Sequence, residues 1–328
     1  MRTRATRRGL QLTELGLGAA QFGNLYRETT DEQAAGAVAA AWEAGIRYFD
    51  TAPHYGLGLS EQRLGPLLAR YPRHEYLISS KVGRLLVDSP ELASRMDDEG
   101  FAVPANKRRV WDFSRDGILR SFEATLARTG LDSIDIVYLH DPDDHLEQAF
   151  GEGIQTLVEL RDQGVVRAIG AGMKQSAALA ALIRAADIDL VMLAGRYTLL
   201  EQGAADDLLP LALERGVGVV IAGVYNTGLL SSARPSDGAK YEYEDAPTEL
   251  IARANSIADV CEKHGVSLPE AALAFPLSHS AVVSVVVGVR DAAQMNSNVE
   301  RYSTTIPAAL WSELRQRHLL PDTTSIHA

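Results

Sequence analysis

Apolar residues in this chain gather into eight short runs, and between the runs the period of the pattern changes. The runs lie at 14–20 (ELGLGAA), 46–52 (IRYFDTA), 76–83 (YLISSKVG), 133–140 (SIDIVYLH), 165–172 (VVRAIGAG), 188–195 (IDLVMLAG), 217–223 (VGVVIAG) and 282–288 (VVSVVVG). They are rich in Val, Ile and Leu and nearly continuous rather than alternating, which is how strands buried on both faces read. After each run, apolar positions recur at helical spacing. Thr30 and Gln33 stand in capping-box spacing before an alanine-rich stretch that stops at Gly45, and Ser114 opens another that stops at Gly130. Further helices are predicted over 153–164, 176–187, 204–216, 246–264 and 267–279, and from Asp291 and about Ile306.

Eight strand–helix units in about 300 residues predict an α/β fold of one domain, a closed (β/α)8 (TIM) barrel over 13–328, with residues 1–12 as a flexible tail. The competing architecture, an open doubly wound sheet, would normally carry G-x-G-x-x-G for a dinucleotide. The stretches GLGAAQ and GAGMKQ both fail that pattern at its last position. One connection is long, about 84–113 between the third strand and its helix, and loops of that length usually carry function or are mobile.

Composition narrows the function. The 328 residues are 46% hydrophobic, enough for a large core, and carry a net charge of −11. That balance argues against nucleic acid or an anionic membrane as the main partner. A single cysteine, Cys261, excludes an internal disulfide framework and a cysteine zinc site. The four arginines of MRTRATRRGL have no signal-peptide core behind them, and no apolar run reaches membrane-spanning length, so a cytoplasmic protein is expected.

In such barrels the site forms at the C-terminal ends of the strands. There stand Asp50, with Tyr55 in the loop beyond it, Lys81 and His140, from three consecutive strands. A neighbouring ammonium favours tyrosinate, an acid can hold the ammonium, and an imidazole can bind the reacting oxygen. The set moves a proton on and off oxygen and contains no strong nucleophile, so a hydride carrier is its natural partner. HDPDDH (140–145) could also be read as metal ligands. Asp-Pro forces a turn there and adjacent acids commonly cap helices, so no metal is expected.

These residues resemble the aldo-keto reductase superfamily over nearly the whole chain. GIRYFDTAPHYG is similar to its signature around the catalytic aspartate and tyrosine, ISSKVG to its lysine strand and IDIVYLH to its histidine strand. The resemblance implies a tetrad of Asp50, Tyr55, Lys81 and His140 with Tyr55 as general acid/base. HDPDDH, IGAGMKQ and AGRYTLL are similar to the branch that oxidises aldoses such as L-fucose, L-galactose or D-arabinose at C1, and to its relatives that oxidise pyridoxal.

The resemblance also implies cofactor contacts. Gly172 and Met173 stand where the family usually has Ser-Asn, which leaves the amide to Lys174 or Gln175. Ala222 replaces the usual aromatic under the nicotinamide, with Tyr225 as its substitute. Gly223 and the backbone of Asn226, Gly228 and Leu229 are expected near the pyrophosphate. Gly288, Arg290, Gln294 and Asn298 are expected at the adenosine end. Arg290 is the only cation of that turn, so NAD is the expected cofactor and NADP the alternative. Phe22, Asn24, Tyr26, Trp111 and Phe113 are expected to line a pocket for a sugar or aldehyde. The leading reading is oxidation of an aldose, or of pyridoxal, to its lactone. The alternatives are an NADPH-dependent reductase of aldehydes and ketones, and a redox-sensing subunit without turnover.

Overall fold

The computed structural model describes residues 1–235, 238–242 and 244–321. The end of the predicted barrel range, 322–328, lies outside them. The eight apolar runs become eight parallel strands: β1 (Leu15–Gly18), β2 (Tyr48–Asp50), β3 (Leu77–Val82), β4 (Ile136–His140), β5 (Ala168–Met173), β6 (Leu190–Ala194), β7 (Gly218–Ala222) and β8 (Val282–Gly288). Each pairs with its neighbours in chain order, and β8 pairs with β1, closing the barrel.

Helices form where the polar signals placed them. Thr30 caps the helix Asp31–Glu43 by accepting from Gln33 N, and the Gln33 side chain returns the bond to Thr30 N. A cap of this kind contributes about 1 kcal/mol. Ser114 Oγ accepts from Gly117 N to start Arg115–Thr129, which ends at Gly130 with φ +65°. Among the described residues no helix is long and apolar enough to cross a membrane.

The strand period of two sorts side chains into two cores. Outward-facing Phe49, Ile78, Val137 and Ile169 pack under the helices. Inward-facing Tyr48, Leu77, Ile136, Tyr138, Leu190 and Met192 fill the barrel. The same alternation carries Asp50, Lys81 and His140 to the inner face at the top of β2, β3 and β4.

The expected flexible tail is corrected. Thr3–Ala5 pairs antiparallel with Gln11–Thr13, and this hairpin closes the barrel floor. Leu10 and Leu12 are buried in the interior cluster. Arg4 donates to the carbonyls of Leu277 (2.7 Å) and Val282 (2.7 Å) and to Glu14 Oε1 (2.7 Å). Burying two leucines is worth roughly 1.5–3 kcal/mol each, enough to hold a short hairpin in place. The long connection is folded as well. Arg84–Asp88 pairs with Lys107–Trp111, and a buried ion pair of Arg109 with Asp97 (2.6 Å) ties its interior together.

Candidate active site

Three strand ends and one loop build the site. The loop after β2 is pinned where Gly56, at φ +61°, passes against Gly23. A Cβ on Gly56 would stand 2.2 Å from the Gly23 carbonyl oxygen, so only glycine fits there. That close approach sets the path of Tyr55 into the mouth.

Lys81 Nζ lies 2.7 Å from Asp50 Oδ2, 3.0 Å from Thr51 O and 3.1 Å from Tyr55 OH. An ammonium has three protons, and these three acceptors take them all. The Tyr55 oxygen therefore accepts from Lys81 and keeps its own proton for another partner. Asp50, Lys81 and His140 are all buried. The His140 ring stands 6.0 Å from the Tyr55 ring, edge on.

The electrostatics follow from burial and three cations. Burial alone would lower Lys81, but Asp50 and Tyr55 outweigh it and hold the ammonium above its ordinary range, so it stays charged. Burial pushes Tyr55 up to about 12; Lys81 pulls against that and Asp50 adds to it. Lysine was expected to bring the phenol below its usual value; here it only offsets part of the desolvation. Burial, then Arg84 and Lys81, hold His140 well below 6.5, and burial, Arg84 and Arg109 do the same to His54. Both rings are neutral at pH 7. His140 Nδ1 is buried with no hydrogen-bond partner among the described residues, and Nε2 lies 3.6 Å from Asp141 Oδ2.

Sequence reasoning missed a second layer at this mouth. Arg84 Nη2 donates to Asp141 Oδ2 at 2.7 Å, and Nη1 lies 3.3 Å from His54 Nδ1. The guanidinium stands 5.1 Å from the Trp111 ring centroid, and Trp111 stacks on His145 at 6.2 Å. His54 packs edge-on against Phe101 and His140. The available signal was position: Arg84 and Asp141 directly follow strand ends, and His54 adjoins Tyr55.

Of the expected pocket residues, Trp111 stands beside Arg84 and Tyr26 is exposed at the rim. Phe22 and Phe113 are wholly buried in the outer core, and this corrects their assignment. Asn24 is also corrected: its side chain donates to Ala102 O and accepts from Thr29 N and Arg63, a tie between loops.

On the far side of the mouth, Asp143, Lys174, Gln175, Ser176 and Arg196 help line a cleft of about 520 Å³. Gly195, Gly223 and Asn226 line a smaller adjoining hollow. Gly223 (φ +65°) would bring a Cβ to 3.1 Å from Gly195 N, so the backbone there is bare. Among the described residues Asn226 Oδ1 is buried without a partner, while its amide nitrogen donates to Gly195 O (3.1 Å). Bare backbone beside Lys174 and Arg196, both of which also pair with Glu242, is the part of this cleft that fits a dinucleotide phosphate. Gly172 faces inward across from Lys81, with its Cβ position 3.9 Å from Lys81 Cε. Leu229 is core. Tyr225 donates to Asn298 Oδ1 (2.7 Å), which ties it to the helix Ala292–Ser303 rather than leaving its ring free. Gln294 Oε1 accepts from Arg290 N (2.8 Å) near exposed Gly288.

Arg290 is corrected. Its guanidinium donates to Leu25 O (2.8 Å), Arg27 O (2.9 Å) and Thr29 Oγ1, so its charge straps the 25–29 loop instead of facing a phosphate.

A closed barrel whose mouth holds a phenol against a buried ammonium, beside a bare-backbone cleft, suits an oxidoreductase that works with a nicotinamide dinucleotide. The chain belongs to the aldo/keto reductase family, whose model matches residues 14–317. It is similar to D-threo-aldose 1-dehydrogenase from a Pseudomonas species, 49% identical over 316 residues covering 95% of this chain and 96% of that one. It is 39% identical to pyridoxal 4-dehydrogenase from Microbacterium luteolum, covering 96% of each. An aldo-keto reductase structure from Bacillus halodurans, in its holo form, superposes with a TM-score of 0.75 at 26% identity, covering 100% of this chain and 98% of that one.

Proposed function

We propose that the protein oxidises an aldose at C1 to the lactone, with Tyr55 as the group that carries the proton. The observation behind this is the Lys81 ammonium held between Asp50 (2.7 Å) and Tyr55 (3.1 Å) at the mouth of a chain 49% identical to an aldose dehydrogenase. In oxidation the Tyr55 phenolate accepts the proton of the C1 hydroxyl while C1–H leaves as hydride and C1=O forms. Lys81 stabilises the phenolate, Asp50 keeps Lys81 aimed, and neutral His140 holds the same substrate oxygen through an imidazole nitrogen. A bound nicotinamide dinucleotide supplies the hydride acceptor. Lys174, Gln175, Gly223 and Asn226 would hold it from the cleft side.

NAD is the favoured cofactor, because the one cation of the strand-β8 turn, Arg290, is already committed to loop acceptors. Pyridoxal, whose hemiacetal presents the same C–OH, is the second reading, favoured by the 39% relative and by the Trp111 ring stacked on His145 beside Arg84. The test follows nicotinamide absorbance with NAD and NADP across L-fucose, D-arabinose, L-galactose and pyridoxal, alongside Tyr55→Phe. The variant is expected to bind cofactor and lose about a thousandfold in kcat. Undiminished turnover would remove Tyr55 from the reaction.

A further inference from the structure

Below the reacting groups lies a second polar layer that the reaction as written does not use. Tyr48, Ser79 and Tyr138 each stand two residues before a member of the upper layer: Asp50, Lys81 and His140 respectively. The strand period therefore puts them on the same inner face, one step down. All three are wholly buried or nearly so, where a barrel interior usually holds aliphatic groups. Asp50 Oδ1 lies 2.7 Å from Ser79 Oγ, Ser79 Oγ 3.0 Å from Tyr48 OH, and Tyr48 OH 3.3 Å from Tyr138 OH.

The direction of this chain is fixed by counting protons. A carboxylate only accepts, so Ser79 spends its one proton on Asp50. Ser79 must then accept from Tyr48, and Tyr48 from Tyr138. Burial holds both phenols above their ordinary range, so they remain donors. We propose that Tyr138, Tyr48 and Ser79 form a one-way hydroxyl chain that positions Asp50 and spreads its charge, and so sets the pH at which Tyr55 works.

The inference rests on Tyr55 being the proton carrier. Tyr55 faces Lys81, Asp50 and Asp141 as charges, with the rings of His54 and His140 beside it; Arg84 and Arg109 stand behind the histidines. Asp50 pushes the phenol up, so a carboxylate stripped of its chain pushes harder. Loss of the chain moves the rising limb of oxidation to higher pH. A lost packing contact lowers the rate at every pH and leaves the limb in place.

The experiment is the pH profile of kcat/KM for oxidation in Ser79→Ala, Tyr48→Phe and Tyr138→Phe, with Ser79→Thr as the hydroxyl-restoring control. Ser79→Ala is expected to lose about tenfold at neutral pH and to shift the limb upward by about one pH unit. Tyr48→Phe gives a smaller shift of the same sign, Tyr138→Phe the smallest, and Ser79→Thr returns the limb toward the parent. The two Tyr→Phe changes keep the ring, so they carry the test if Ser79→Ala does not fold. Limbs that coincide with the parent in every folded variant, with Tyr55→Phe inactive, overturn the chain and leave Tyr55 in its role. An active Tyr55→Phe overturns the role of Tyr55 instead.

Discussion

The floor and the mouth of this barrel both bury charge, and they use it differently. At the floor, Glu14 accepts from Arg2 (2.8 Å), Arg4 (2.7 Å) and Tyr302 (2.5 Å). Asp189, wholly buried, is met by Arg8 (2.5 Å), Arg161 (3.3 Å) and the backbone N–H of Ile169 (3.0 Å). Each of these acids is surrounded by donors and holds two distant parts of the chain together. At the mouth, Asp50 faces Lys81 and Asp141 faces Arg84, the two histidines are kept neutral, and among the described residues His140 Nδ1, Arg84 Nε and Asn226 Oδ1 are buried without partners. Saturated charge fastens a fold, whereas buried polar atoms without partners beside the reacting groups mark a site that is built for something other than stability.

Breaking the mouth should give the largest effect. Lys81→Met leaves Asp50 buried and unpaired, which costs about 3–5 kcal/mol of stability by denaturant titration and at least about a thousandfold in kcat. Glu14→Gln at the floor sharpens the contrast. It should lose about 3 kcal/mol in the same titration while kcat of the folded protein stays within about twofold. Equal loss of activity in both variants would erase the distinction between the two ends.

The histidines give a pH test. His54 and His140 have folded values well below 6.5, so the unfolded chain takes up protons first as pH falls. Their contribution to stability is complete above about 6.5 and is lost as pH drops through and below it. The melting temperature should therefore fall between pH 7.5 and pH 5. Arg84→Met, which removes a cation beside both rings, should flatten that fall. The smallest effect belongs to Arg290→Met. With its guanidinium spent on the 25–29 loop, the ratio of NAD to NADP efficiency should stay within about twofold. A large change in that ratio would return Arg290 to the cofactor.

Much of this was legible in the sequence, and the reasons are local. Eight apolar runs gave eight strands because a doubly covered strand must be apolar along its length. Asp50, Lys81 and His140 could be placed together because a strand end in a barrel has only one place to point. Arg4 looks like tail in the sequence because its acceptors, Leu277 and Val282, lie more than 270 residues away. Arg290 misled for the same reason: nothing near it in sequence shows that carbonyls at 25 and 27 absorb its charge. Phe22 and Phe113 look like pocket walls in the sequence because an aromatic in a loop looks alike whether it faces outward or packs beneath. Tyr48, Ser79 and Tyr138 were visible in the strands all along, but only measured distances join them.

The hairpin at the base has a consequence for traffic. With Leu10 and Leu12 seated beneath a filled interior, the described residues close the ring at its base and leave the mouth as its doorway. Whatever binds and whatever leaves must then share that doorway beside the phenol.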